Sequence, residues 1–157
     1  MLDEEFIAQQ ADMKRTPIEY VNMAGMVADI IEERHIKLTL PVAPIHLNHV
    51  GTAYAGSMFT LAEIAGGKLF KCTYGTDYVP ILKAAEIRYL KPSTKDLVVE
   101  LSLTEEEAAE KIALAAQRGR GDYFLDVDIK NIDGVLVATV HFNYYALSAE
   151  AAKSFGK

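Results

Sequence analysis

Hydrophobic and polar residues alternate along much of this chain, which is the pattern of β-strands that bury one face. The alternation is clearest over residues 36–40, 81–89, 97–103 and 123–129. Further strands are predicted from residue 26 onward and over residues 135–146, with a hairpin around residues 33–35. We therefore expect six strands.

Two short helices are predicted before the first strand. Asp3 is placed to cap a helix over residues 3–15, because the two glutamates that follow it suit the positive end of a helix dipole. Thr16 and Pro17 supply an N-cap and a first helical residue for the second helix, which Gly25 can end.

A longer helix is predicted over about residues 52–70, within the most apolar stretch of the chain. From residue 38 to residue 67 the only formally charged residue is Glu63. A helix that is apolar on nearly every side is buried on every side. A carboxylate in those surroundings is costly unless it has a partner or a proton, so its presence needs a reason.

Another helix is predicted to begin after Thr104, because threonine at the N-cap and Glu107 at N3 form a capping box. We expect it to run to Arg118 and to be closed by Gly119. Strands outnumber helices, and only the helix around Glu63 is apolar enough to be enclosed. The pattern predicts an α+β hotdog fold, in which a curved antiparallel sheet wraps around a central helix.

Length and composition limit the possible classes of protein. At 157 residues the chain fits a single domain, which we expect to span residues 1–157 with an N-terminal helical segment at about residues 3–24. A net charge of −6 does not favour binding to nucleic acid or to an anionic membrane, both of which reward basic surfaces. No zinc-ligand spacing, signal peptide or membrane span is evident, so we expect a cytoplasmic protein without a metal.

The start of the long helix offers hydrogen-bond donors. The backbone N–H groups of Ala55 and Gly56 have no partner within the helix, and the helix dipole adds partial positive charge there. Such donors can polarise a carbonyl oxygen and stabilise an oxyanion. Glu63 lies on the same side as Gly56, but two turns or ~11 Å further along the axis. A glutamate reaching back, a water, or a carboxylate from another subunit would close that gap.

A purely structural role for Glu63 is also open. A lone glutamate in an apolar helix can pair with a buried lysine or cap a neighbouring backbone group, and Lys83 is the candidate partner. By strand parity Lys83 shares the face of Ile81 and Ile87, which points it inward unless a bulge reverses it. The alternative places Lys83 at the exposed end of its strand.

Polar residues in the loop before the long helix are further candidates. Asn48 can donate and accept hydrogen bonds at once, which suits the placing of a water or a carbonyl, but Asn is also a common turn residue. His46 and His49 invite a general-base role, although a histidine in a surface loop is more often merely exposed. Cys72 has no nearby histidine in sequence and suits a small buried position.

The stretch NHVGTAYAG at residues 48–56, followed by Leu-Ala-Glu at residues 61–63, resembles a known signature. It is that of the hotdog-fold acyl-CoA thioesterases of the phenylacetate-pathway (PaaI-like) type. The signature has Asn, then Gly-Thr, then His-Gly-Gly, and an Asp or Glu seven residues after the last glycine. Glu63 lies seven residues after Gly56 and fifteen after Asn48.

This resemblance extends over about residues 26–147 and implies roles for individual positions. Glu63 would be the general base or the nucleophile toward a thioester, and Asn48 would place the water or the carbonyl. The N–H of Ala55 or Gly56 would form the oxyanion hole. In the family the acid and the loop come from different subunits, which implies a homodimer that could pair further into a tetramer. Coenzyme A would be part of the substrate, with no separate cofactor.

Departures from the signature leave a second function open. Tyr54 stands where the family has His, Ala55 stands where it has Gly, and no assisting Ser or Thr is evident in the following strand. The main prediction is thioester hydrolysis by carboxylate-assisted attack of water, and the alternative is a noncatalytic acyl-CoA-binding protein. A hotdog dehydratase is disfavoured, because it would pair a His with a Glu and this helix has no matching His. The predicted substrate-binding residues are Tyr54, Met58, Phe59 and Lys83.

Overall fold

The computed structural model describes residues 1–157, and a six-stranded antiparallel sheet forms most of it. The strands are β1 (Val27–Glu32), β2 (His35–Leu40), β3 (Tyr78–Tyr89), β4 (Leu97–Ser102), β5 (Arg120–Asn131) and β6 (Leu136–Ser148). Their order across the sheet is β1-β2-β4-β5-β6-β3, so β1 and β3 are its edges. All six predicted strands are present.

Alternation along the strands sets which face of the sheet is buried. In β5 the side chains of Tyr123, Leu125 and Val127 are buried, whereas Asp126 and Asp128 between them are exposed. The register of β5 against β6 places each buried residue opposite another buried residue, as in the pair Val127 and Val140. The inner face of the sheet is therefore continuously apolar, as a period of two requires.

The central helix packs on this inner face. The helices are α1 (Glu4–Gln10), α2 (Glu19–Ala24), α3 (Ala55–Tyr74), α4 (Glu105–Lys111), α5 (Ala113–Arg118) and α6 (Ala149–Ala152), with a 3₁₀ turn at Pro44–His46. The 20-residue α3 packs against β2, β3, β4, β5 and β6. This is the predicted α+β hotdog fold. No helix is both long enough and apolar enough to cross a membrane.

The two N-terminal helices are shorter than predicted. Helix α1 has its expected cap, since the Asp3 carboxylate accepts from two backbone N–H groups, but it ends at Gln10 rather than at residue 15. Thr16 was wrongly predicted as the N-cap of α2. Its hydroxyl donates instead to Asn22 Oδ1 at 2.7 Å, and the helix begins at Glu19. Gly25 ends α2 in the left-handed conformation, as predicted.

The helix predicted from Thr104 to Arg118 is two helices. The capping box is confirmed, because Thr104 Oγ1 accepts from Glu107 N–H and the Glu107 carboxylate accepts from Thr104 N–H. The chain leaves helical geometry at Ile112, which packs against the core. Helix α5 then lies so close to β5 that a methyl group on Gly121 would overlap Leu114. Packing on the sheet thus overrides the local helical pattern.

Candidate active site

Helix α3 begins with two backbone donors that have no acceptor. Tyr54 is the N-cap residue, and its carbonyl accepts from the N–H groups of Ser57 and Met58 at 3.0 and 3.1 Å. No side chain caps this end of the helix. The N–H groups of Ala55 and Gly56 donate no hydrogen bond, so the positive end of a 20-residue dipole is free to bind an electronegative atom.

Two tyrosines flank this first turn. The ring of Tyr54 lies over Gly56, in the space that a Cβ at that position would occupy. From the end of β3, the Tyr89 hydroxyl donates to the Ala55 carbonyl at 2.9 Å. Tyr89 was not predicted to be a site residue. Its position at the end of a strand is the only feature of the sequence that could have indicated it.

The loop before α3 is organised by Asn48. Its Oδ1 accepts from the N–H groups of Val50 and Thr52 at 3.0 and 3.1 Å, and its Nδ2 donates to Thr52 Oγ1 at 2.9 Å. The turn role that the sequence allowed is therefore present. The second Nδ2 hydrogen makes no hydrogen bond in the chain, which leaves one donor for a ligand.

A cavity of about 300 Å³ lies between this loop, the start of α3 and the end of β3. We call it the loop cavity. Its lining includes Asn48, Thr52, Ala55, Met58, Tyr89 and Lys91. Three residues predicted from the sequence, Asn48, Ala55 and Met58, are thus together, although they come from a loop and from the first turn of a helix. Its volume is at the lower end of the range typical of small-molecule sites.

Glu63 lies two turns further along α3 and outside the loop cavity. Its side chain is half-buried, and its carboxylate has neither a salt bridge nor a hydrogen bond within the chain. Burial raises the pKa of Glu63 above its usual range, because the charged form loses hydration and gains no partner. A carboxylate with a raised pKa is a better proton acceptor near neutral pH.

Lys83 is not the partner of Glu63, so a salt bridge between the two does not explain the half-buried carboxylate. The register of β3 against β6 shifts between Leu82 and Ala84, so Lys83 occupies a bulge and is exposed. Its Nζ lies 2.7 Å from Asp122 Oδ1 on the outer side of the sheet. Of the two orientations that the sequence allowed, the exposed one is present, because the bulge adds one residue and reverses the alternation.

Other candidate residues lie outside the loop cavity. Phe59 packs edge-on against Phe142, with ring centroids 5.9 Å apart, and is half-buried. His49 is exposed, as a loop histidine is expected to be. Cys72 is free and buried, and burial raises its pKa to about 11, so the thiol stays protonated at neutral pH.

His46 is buried, contrary to the expectation of an exposed loop histidine. Its Nε2 lies 2.7 Å from the Ala24 carbonyl, which can only accept, so Nε2 carries the hydrogen. Its Nδ1 then accepts from the Ser57 hydroxyl at 3.2 Å. Ser57 was not predicted, and both residues line a second cavity of about 190 Å³ between α2 and α3.

Comparisons with known proteins agree with this fold. A family model described as a domain of unknown function, DUF4442, matches residues 10–146. The chain belongs to the DUF4442 family. No protein of curated function is detectably similar to this DUF4442 chain in sequence.

Two solved structures are similar to this chain over most of its length. A Pseudomonas aeruginosa protein of unknown function, described as a probable thioesterase, is 30% identical, with a TM-score of 0.82 over 94% of this chain and 97% of that one. A Shewanella oneidensis protein, provisionally assigned as a thioesterase, is 21% identical, with a TM-score of 0.72 over 92% of this chain and 99% of that one.

A third structure contains a ligand. A hypothetical thioesterase from Streptococcus pneumoniae, crystallised with coenzyme A, is 21% identical, with a TM-score of 0.61 over 79% of this chain and 87% of that one. At 21% identity, the Shewanella oneidensis and Streptococcus pneumoniae structures show only that the fold is shared. Together the neighbours support a hotdog fold for this member of the DUF4442 family.

Proposed function

We propose that this DUF4442 protein is a PaaI-like thioesterase, which hydrolyses an acyl-CoA or acyl-carrier thioester by attack of a water that Glu63 activates. The observation that carries the proposal is the pair of free N–H groups on Ala55 and Gly56. These donors occupy one end of the helix that also holds an unpaired, half-buried carboxyl group. Oriented donors and a general base are the two kinds of group that acyl transfer to water requires.

The proposed reaction needs no group beyond substrate, water and these residues. The Ala55 and Gly56 N–H groups hold the carbonyl oxygen, Glu63 takes a proton from water, and the water oxygen bonds to the carbonyl carbon. The oxyanion collapses and the carbon–sulfur bond breaks. The thiolate then takes the proton from Glu63, which yields a carboxylic acid and a thiol.

A second subunit would supply the carboxylate. Gly56 and Glu63 of one chain are ~11 Å apart along the helix axis, which is beyond direct contact with one thioester. The 12-residue strand β3 pairs only with β6, so its outer edge is free to meet a second copy. We therefore propose a homodimer in which the loop cavity of one chain faces Glu63 of the other.

Coenzyme A is the favoured thiol carrier. The Streptococcus pneumoniae neighbour was crystallised with coenzyme A, and the loop cavity of this protein carries Lys91 beside Asn48. A lysine suits a phosphate or pyrophosphate oxygen, and an amide suits the pantetheine chain. Met58 would contact the thioester, and Tyr54 would flank it.

The main test measures thiol release from a panel of acyl-CoA thioesters of different chain length. Replacement of Glu63 by Gln should lower kcat by about 10²-fold or more, because it removes the general base. Glu110→Gln is the matched control, since Glu110 is exposed on α4 and has no side-chain hydrogen bond. Equal, slow release by the wild type and Glu63→Gln on every thioester would exclude the mechanism.

Mixing two inactive variants tests the two-subunit site. Glu63→Gln and Asn48→Ala proteins are unfolded together and refolded as a mixture. A mixed dimer then has one site with both defects and one site with neither. The mixture should regain about a quarter of the wild-type activity if the two residues act across the dimer. Activity no higher than that of either variant alone would place both residues in the same chain's site.

One observation favours a noncatalytic acyl-CoA-binding protein instead. The Tyr54 ring lies over Gly56 and narrows access to the free N–H groups. Tight binding of acyl-CoA without turnover, by the wild type and by Tyr54→Ala alike, would support that alternative. Turnover by the wild-type protein would exclude it.

A further inference from the structure

The cavity between α2 and α3 is separate from the loop cavity but meets the same turn of helix. Tyr54 and Ser57 line this α2–α3 cavity, whereas Ala55 and Met58 line the loop cavity. Both cavities therefore border the first turn of α3, where the free N–H groups lie. The apolar lining of the α2–α3 cavity includes Tyr20, Met23, Met26, Leu40 and Ile45.

The polar atoms along the inner wall of the α2–α3 cavity are already paired with one another. The Ser57 hydroxyl donates to His46 Nδ1, and His46 Nε2 donates to the Ala24 carbonyl. Thr60 Oγ1 donates to the Gly56 carbonyl at 2.8 Å. No side-chain polar hydrogen of these three residues is left to meet a charged or strongly polar ligand. The lining of the α2–α3 cavity therefore favours a hydrocarbon ligand.

A thioester has one polar side and one apolar side, and the two cavities differ in polarity in the same way. A carbonyl held by the Ala55 and Gly56 N–H groups has a polar thiol carrier on one side and an acyl chain on the other. Asn48 and Lys91 make the loop cavity suitable for the carrier. The α2–α3 cavity, which has neither a charged side chain nor an amide in its lining, is left for the acyl chain.

Building on the proposed thioesterase function, we infer that the α2–α3 cavity binds the tail of an unbranched, medium-length acyl group. A volume of about 190 Å³ holds about six carbons, taking ~30 Å³ for each, the volume of one water in the liquid. Acyl groups of about six to eight carbons fill it, because the carbonyl end lies outside at the helix start. Longer chains would have to leave by the exposed rim formed by Tyr20, Met23 and Tyr54.

The dependence of kcat/KM on acyl-chain length is the direct test of this inference. Each methylene that enters the cavity should raise kcat/KM about fourfold, which corresponds to ~0.8 kcal/mol per buried CH₂. The increase should continue from butanoyl-CoA to about octanoyl-CoA and then stop. A series from acetyl-CoA to tetradecanoyl-CoA measures it.

A cavity-filling variant tests the position of the tail. Ala24→Leu adds three carbons at the wall of the cavity, so it should lower kcat/KM for octanoyl-CoA at least tenfold more than kcat/KM for acetyl-CoA. The matched control is Ala116→Leu, because Ala116 is an exposed residue of α5 on another part of the surface. An equal effect of Ala24→Leu on every chain length would overturn the assignment of this cavity to the acyl tail.

A binding measurement separates this inference from the proposed function. The dissociation constants of S-alkyl-CoA thioethers, which cannot be hydrolysed, are measured by calorimetry for the wild type, Ala24→Leu and Ala116→Leu. Affinity that rises with chain length and is lost selectively in Ala24→Leu would support the acyl pocket even if no thioester is hydrolysed. Affinity independent of chain length in the wild type would refute the pocket even if thioesters are hydrolysed.

Discussion

Two neighbouring glycines of α3 should respond in opposite ways to the same substitution. A methyl group on Gly66 would overlap the Tyr144 hydroxyl and come within 3.2 Å of Leu125 Cδ2. A methyl group on Gly67 would meet nothing within 4 Å. Tyr144 is only 2% exposed, and its hydroxyl donates to the Glu63 carbonyl at 3.1 Å, so it has little room to move.

The expected magnitudes follow from these contacts. Gly66→Ala should lose ~1–3 kcal/mol to overpacking and ~1 kcal/mol if the Tyr144 hydrogen bond breaks, against a gain of ~1 kcal/mol in helix propensity. The net effect is a loss of ~1–3 kcal/mol in the free energy of unfolding. Gly67→Ala should gain up to ~1 kcal/mol, because only the propensity changes.

Thermal and urea unfolding of the two variants beside the wild type provide the assay. For a chain of this size the loss in Gly66→Ala corresponds to a fall in Tm of roughly 2–12 °C, and Gly67→Ala should unfold at or above the wild-type temperature. Because the same substitution is made at adjacent positions of one helix, neither composition nor helix propensity can explain a difference in Tm between the two variants. Equal Tm values for the two variants would refute the proposed contact between Gly66 and Tyr144.

Two further predictions concern a buried charge and a helix cap. Because burial raises the pKa of Glu63, the folded state keeps this proton to a higher pH than the unfolded chain does, and ionisation above that pH costs stability. Glu63→Gln should therefore be more stable than the wild type by ~1 kcal/mol at pH 7, with the difference vanishing in urea titrations well below pH 4.5, the ordinary pKa. A difference that is the same at both pH values would contradict this reasoning. Thr104→Ala should lose ~1 kcal/mol in urea unfolding, because it removes the capping box. Thr76→Ala, at an exposed threonine without a side-chain hydrogen bond, should change little.

The elements of the sheet and those helix ends that a cap or a glycine sets could be predicted, because their causes are local. The Thr104 capping box and the left-handed glycines at positions 25 and 119 depend on residues within four positions of each other. The donors of Ala55 and Gly56 could be predicted for the same reason, since every helix leaves its first N–H groups without an internal partner.

Several polar contacts could not be predicted, because their partners are distant in the sequence. His46 donates to a carbonyl 22 residues away, and nothing in the loop sequence indicates that contact. Lys83 pairs with Asp122, 39 residues away, after a bulge that strand parity alone does not show. The break at Ile112 likewise reflects packing on β5 rather than helix propensity.

The sequence by itself determined the strands, the central helix and the isolated carboxylate on it, because periodicity, caps and charge are properties of neighbouring residues. Only the tertiary structure decided that Glu63 has no partner, that His46 is buried, and that two cavities meet the first turn of α3. Burial and cavities depend on which surfaces meet when distant segments pack, and a pattern read along one segment does not contain that information.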